Sequence, residues 1–142
     1  MPTLYQRVMT AGAVVLGLAG IIAIHVMDLQ GKIEETPYLA AGYVAVCLIA
    51  GFLIVRIVSG PSRRDFLAAA ALSAAVFAGY VVNRTVGMPG AMGDIGNWME
   101  PLGLLSLVIE AFTCVMAVRG VMMLSGSSDE RVAERELVGA VD

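Results

Sequence analysis

Four apolar runs, at residues 8–27, 38–58, 66–82 and 102–124, take up most of this chain. Each is about as long as the ~20 residues that carry a helix across the hydrocarbon layer, with 66–82 at the short limit. That pattern predicts an all-α protein, an integral membrane bundle of four helices, followed by a polar acidic tail at 127–142. Composition agrees: 58% of the 142 residues are apolar, 15% are charged and the mean hydropathy is +0.83, far outside the range of a soluble domain. The first run is longer than the ~7–15 apolar residues of a secretory signal and lacks a small-x-small cleavage site, so it is expected to be retained.

Orientation follows from the basic residues, which are held on the cytoplasmic side of a membrane. Four crossings put Arg7, Arg56, Arg63, Arg64, Arg119, Arg131 and Arg135 on one side and leave only Lys32 and Arg84 on the other. The expectation is a multi-pass protein of the bacterial plasma membrane with both termini cytoplasmic. The segments "DLQGKIEETP" and 83–101 then form the external loops. No basic stripe points to nucleic acid.

Several helix starts are marked locally. Thr36 with Pro37 is expected to cap the second helix, Ser62-x-x-Asp65 the third, and Asn97-x-x-Glu100 the fourth. In the tail, Gly126 reads as a helix stop and Ser127-x-x-Glu130 as a new start. Small residues are frequent in the first three runs. Ala13, Gly17 and Gly20 fall on nearly one face of the first helix, where they allow close helix contact.

Glu110 is the residue that packing alone explains least. Counted from Glu100 at about 1.5 Å per residue, it lies ~15 Å deep, near the middle of a ~30 Å core. An acidic side chain there costs about 2.5–3.5 kcal/mol on insertion scales, so it must face inward, be neutral or be paired. Gly103, Ser106, Glu110, Thr113 and Ala117 recur every three or four residues and turn the carboxyl into the bundle. Ser73 and Cys47 are expected at the same depth, with no arginine or lysine beside them. Glu110, Ser106, Thr113 and Ser73 are therefore the membrane-embedded functional candidates. Desolvation alone favours a neutral acid, which either carries a proton or bonds a partner's group, or else hydrogen-bonds Ser106 or a neighbouring helix for packing alone.

The second unusual feature is the loop between the third and fourth helices, with Gly87, Gly90, Gly93, Gly96 and Pro89 around Arg84, Asp94, Trp98 and Glu100. It reads either as a cap, with Trp98 at the membrane interface and Arg84 meeting Asp94 or Glu100 at the surface, or as an external docking loop. The stretch "RTVGMPGAMGDIGNWMEPLG" resembles the external loop of small uncharacterised four-helix membrane proteins of actinobacteria, of the form R-T-x-G-x-P-G…W-x-E-P-L-G. The resemblance implies the bundle and carries no activity with it.

Catalysis and cofactors find little support. Cys47 and Cys114 lie within apolar runs, form no CxxC pair, and lack a nearby base. His25, Met88 and Met92 gather toward the external face and are weak candidates for Cu(I), which takes thioether and imidazole ligands. No cofactor is expected. The leading expectation is a non-enzymatic accessory, assembly or stabilising subunit of a larger membrane complex, such as a respiratory one, with other integral membrane subunits and the lipid bilayer as partners. The alternative is a small proton-coupled transporter that works as a homo-oligomer through Glu110. An external copper-handling protein is the third reading. In size and helix count the chain resembles small multidrug transporters, but their membrane glutamate is in the first helix, where this chain has none.

Overall fold

The computed structural model describes residues 3–139, with side chains through 126, and is all-helical. Four helices are long and apolar enough to cross a membrane: α1 (Leu4–Glu35), α2 (Pro37–Ser59), α3 (Arg63–Thr85) and α4 (Pro101–Gly139), whose apolar part is Pro101–Gly126. Neighbouring helices pack in the order α2, α1, α4, α3. The ring closes poorly, because α2 and α3 touch far less than the other adjacent pairs.

All four helices outrun their apolar stretches, and the reasons are local. At its start α1 has a capping box not foreseen from sequence: the Thr3 hydroxyl accepts from the Gln6 N–H while the Gln6 side chain accepts from Thr3. At its other end, most of the segment expected to be a loop is helix through Glu35. Its Asp, Gln, Lys and Glu residues permit helix, and only Pro37, at the first position of α2, stops it. Thr36 is the sole residue between the two helices. Its hydroxyl makes no cap and is buried without a partner, contrary to the capping role expected of it.

The Ser62–Asp65 box opens α3 as expected, and Arg56 Nε donates to Asp65 Oδ1 at 3.1 Å, tying the ends of α2 and α3. The box expected at Asn97–Glu100 does not form. Helix α4 starts one residue after Glu100, whose carbonyl accepts from Leu104 N–H at 3.0 Å and whose carboxylate is drawn to Arg84 instead. Nor does Gly126 end α4, which continues to Gly139. A glycine inside a helix costs about 1 kcal/mol relative to alanine and does not by itself break it.

The core lies toward the arginine-rich end, where Val14, Leu18 and Ile21 meet Leu53, Ile57, Phe66 and Ala117. Close approach of α4 depends on glycine. A Cβ on Gly17 would collide with Thr113 Oγ1, one on Gly120 would lie 2.7 Å from the Phe66 ring, and one on Gly103 would enter the Tyr80 ring. The small-residue face expected on α1 is thus the seam with α4.

Candidate functional site

Away from this core, toward the end that carries the 86–100 loop, the four helices part around a cavity of about 300 Å³. Its lining residues farthest along each helix from that loop are Ile24, Val46, Leu72 and Glu110. Nine residues into α4, Glu110 lies ~14 Å from the start of that helix. Sequence periodicity is enough to bring it inward.

Glu110 is 0% exposed. The Ser106 hydroxyl, one turn earlier, donates to Glu110 Oε1, and Oε2 is buried with no hydrogen-bond partner. Among the described residues no lysine or arginine pairs with it. Of the residues grouped with Glu110 from sequence, Ser106 alone hydrogen-bonds to it. Ser73 Oγ donates to its own Ala69 carbonyl at 2.9 Å, and Thr113 Oγ1 to Ile109 at 2.6 Å, so both hydroxyls are satisfied within their own helices. Cys47 Sγ lies 3.9 Å from the Ile22 carbonyl and does not line the cavity.

The mouth is a network centred on Arg84. Rather than meeting its carboxylates at the surface, Arg84 is 5% exposed. Its Nη1 lies 3.1 Å from Asp94 Oδ1, its Nη2 reaches Glu100 Oε2, and its guanidinium carbon lies 5.0 Å from the centre of the Tyr80 ring. Asp94 also accepts from Asn83 Nδ2 at 2.9 Å and lies 3.7 Å from Lys32 Nζ. Burial works against its charge, but Asn83, Lys32 and Arg84 outweigh that cost and hold the Asp94 carboxyl below its ordinary pKa. The loop is folded back over this network: Gly96 N–H donates to the Arg84 carbonyl at 2.9 Å, and Tyr38 of α2 donates to the Pro89 carbonyl at 2.7 Å. Gly87, Gly90 and Gly96 adopt left-handed backbone at φ 83°, 78° and 78°, which is what lets so short a segment double back. Trp98 packs edge-on against Tyr80 with ring centres 6.1 Å apart.

A third polar group lies on the wall formed by α1 and α2. Tyr43 donates to Asp28 Oδ2 at 3.0 Å, and the buried His25 ring sits edge-on to Tyr43 at 4.6 Å, with Nδ1 2.8 Å from the Ile21 carbonyl. His25 and Met88 line the cavity; Met92 does not, lying exposed within the loop. Among the described residues no three His, Cys, Asp or Glu side chains are grouped to hold a metal ion.

Sequence reasoning missed Asp28, Lys32, Tyr43, Tyr80 and Asn83 as site residues. The signal was there: His25, Asp28 and Lys32 are spaced three and four apart, and Asn83 and Arg84 lie three and four residues after Tyr80, so each set forms a polar stripe like the one noticed on α4. At the opposite end, a second cavity of about 540 Å³ has a mainly apolar lining around Val8, Ile57 and Phe66. Compared with protein-family models, curated proteins and solved structures, the chain matches none.

Proposed function

We propose that this is a small proton-linked carrier of the bacterial plasma membrane, with Glu110 as the group that takes up and releases the proton. Both termini are cytoplasmic in this reading, because most of the basic residues flank one end of the bundle, and the cavity mouth faces outward. The observation that carries the proposal is the Glu110 carboxyl: fully buried, held by Ser106 at one oxygen, and unpartnered at the other where the helices part. A purely structural acid would be expected to satisfy both oxygens within the bundle.

The geometry lends less support to the accessory-subunit reading. Arg84, which was to face a partner, is turned inward to Asp94 and Glu100, leaving Trp98, 37% exposed, and apolar neighbours such as Met92 and Met99 for docking. The copper reading is supported only by the presence of His25 and Met88 on one cavity.

The test is infrared difference spectroscopy of the purified protein across a pH series. A protonated carboxylic-acid carbonyl band that disappears as pH rises, and is absent in Glu110→Gln, supports the proposal. No titrating band assignable to Glu110 between pH 5 and pH 9 overturns it.

A further inference from the structure

We infer that the cavity takes a monovalent organic cation, an ammonium group on an apolar body, which replaces the proton of Glu110. The inference rests on the proton-carrying reading above and adds the class of substrate.

Charge accounting leads to the cation. At the mouth, Lys32 of α1 and Arg84 of α3 are already matched by Asp94, Glu100 and, 3.6 Å from Lys32, Glu35. Deeper in, even that matching ends. Asp28 on α1, which accepts from Tyr43 of α2, and Glu110 on α4 are two carboxyls with no lysine or arginine against either among the described residues. His25 is the remaining titratable group at that depth, and its Nδ1 is committed to the Ile21 carbonyl. An anion entering the cavity would approach two acids with no free cation to receive it. A bare Ca2+ or Mg2+ ion would need about six or more oxygen ligands, whereas Glu110 is hydrogen-bonded to the Ser106 hydroxyl alone, and among the described residues no three His, Cys, Asp or Glu side chains are grouped to hold a metal.

The walls specify the rest of the ligand. Between mouth and floor, apart from the Tyr43 hydroxyl held by Asp28, they are apolar on α2 and α3, with Val46 facing the space from one side and Leu72 and Val76 from the other. Gly42 and Gly79, on those same helices, each leave open space where a Cβ would stand. A volume of about 300 Å³ is at the small end of ligand pockets and admits one ring with an ammonium substituent. The exchange balances: the Glu110 O–H bond breaks, the proton leaves to water, and the carboxylate left behind is neutralised by the incoming cation. No bond to the ligand is made, and nothing is oxidised.

The experiment titrates the full-length protein in detergent with benzyltrimethylammonium. Binding is read from the fluorescence of Trp98, the chain's one tryptophan, which packs on Tyr80 in the cavity wall, and from proton release into weak buffer. Expected are saturable binding, one proton released per cation, and affinity that rises tenfold per pH unit while Glu110 is protonated. Phenylacetate, of similar size and opposite charge, should not bind. Glu110→Gln should abolish proton release and weaken binding at least tenfold. Gly79→Leu, which fills the cavity from α3, should abolish binding with helix content unchanged, and keeps the test decisive where Glu110→Gln fails to fold. Equal binding of phenylacetate, undiminished binding in Gly79→Leu, or a pH slope that survives Glu110→Gln and so belongs to His25 or Asp28, would each overturn the inference. If the Glu110 carbonyl band titrates but no cation binds, the substrate class fails and the proton-carrying reading stands. Absence of the band removes both.

Discussion

Ser106 and Glu110, one turn apart on α4, share a hydrogen bond that occupies one carboxyl oxygen and leaves the other buried without a partner. The pairing is intrahelical, so it forms wherever α4 forms. What the tertiary fold adds is the place where α2 and α3 fail to close, and this sets the buried pair at the wall of a cavity.

Replacing the carboxyl tests that division. Glu110→Gln preserves the size of the side chain and its ability to accept from Ser106, so its accumulation in membranes should match wild type while proton-linked activity is lost. Glu110→Lys puts an uncompensated cation beside the apolar core, and its level in the membrane fraction should drop several-fold. Immunoblotting of membrane fractions against a flux assay separates the two. Undiminished flux in the Gln variant would exclude Glu110 as the coupling group.

The orientation proposed from the arginines can be read by thiol labelling in a Cys47→Ala, Cys114→Ala background. Gly93→Cys suits the loop end because Gly93 is free of left-handed strain and a Cβ there meets nothing within 4 Å. It should react with an impermeant maleimide in intact cells. Ser59→Cys, exposed at the arginine-rich end of α2, should react only after permeabilisation. The reverse pattern inverts the model.

Glycine substitutions should divide by what a Cβ meets. Gly17→Ala and Gly103→Ala drive a methyl into Thr113 and into the Tyr80 ring, and each should lower stability by about 1–3 kcal/mol through overpacking. Gly12→Ala meets nothing and gains helix propensity, so it should be neutral or stabilising by up to ~1 kcal/mol. Thermal unfolding in detergent, followed by circular dichroism, distinguishes them. Equal midpoints for all three would refute the close seams of α4.

How much of this could be read in the sequence depends on the range of the interactions involved. Hydropathy is a sum over consecutive residues, so four apolar helices were visible, and the periodic polar stripe around Glu110 turned it inward by local geometry alone. The helix ends were harder. Polar residues 28–35 permit either helix or loop, and Glu100 had two competing partners, a cap at Asn97 nearby and Arg84 sixteen residues away, of which the distant one won. The cavity could not be read at all, because it depends on a poor α2–α3 contact and on side chains from four helices.

Acid should weaken the loop end first. In the folded protein the Asp94 carboxyl is held below its ordinary pKa, so the stabilisation it contributes is present above that value and is lost as pH falls through and below the ordinary aspartate range. Wild type should therefore lose stability toward acid. Asp94→Asn should be less stable by about 1–2 kcal/mol at neutral pH and should show a flatter acid limb. Parallel limbs for the two proteins would show that Asp94 is not the group responsible.

Arg84 and Trp98 separate a carrier from an accessory subunit. Arg84 is buried between Asp94 and Glu100, with Tyr80 against its guanidinium, so Arg84→Ala leaves Glu100 without its cation and Asp94 with Lys32 and Asn83 alone, and should cost on the order of 3 kcal/mol. Trp98→Ala removes the ring packed on Tyr80 and should also lower the unfolding midpoint, by a smaller amount. In both cases the damage falls on the protein's own stability, because these side chains hold the loop to the bundle. If the loop instead docked a partner subunit, the same substitutions would leave the midpoint nearly unchanged and release the protein from a larger complex, since truncating an interface hot spot costs ~2 kcal/mol or more of binding. Gentle detergent extraction followed by native electrophoresis and thermal unfolding measures both quantities on the same sample. A wild-type complex with another chain in stoichiometric amount, dissociated by Trp98→Ala at an unchanged midpoint, would overturn the carrier reading in favour of the subunit.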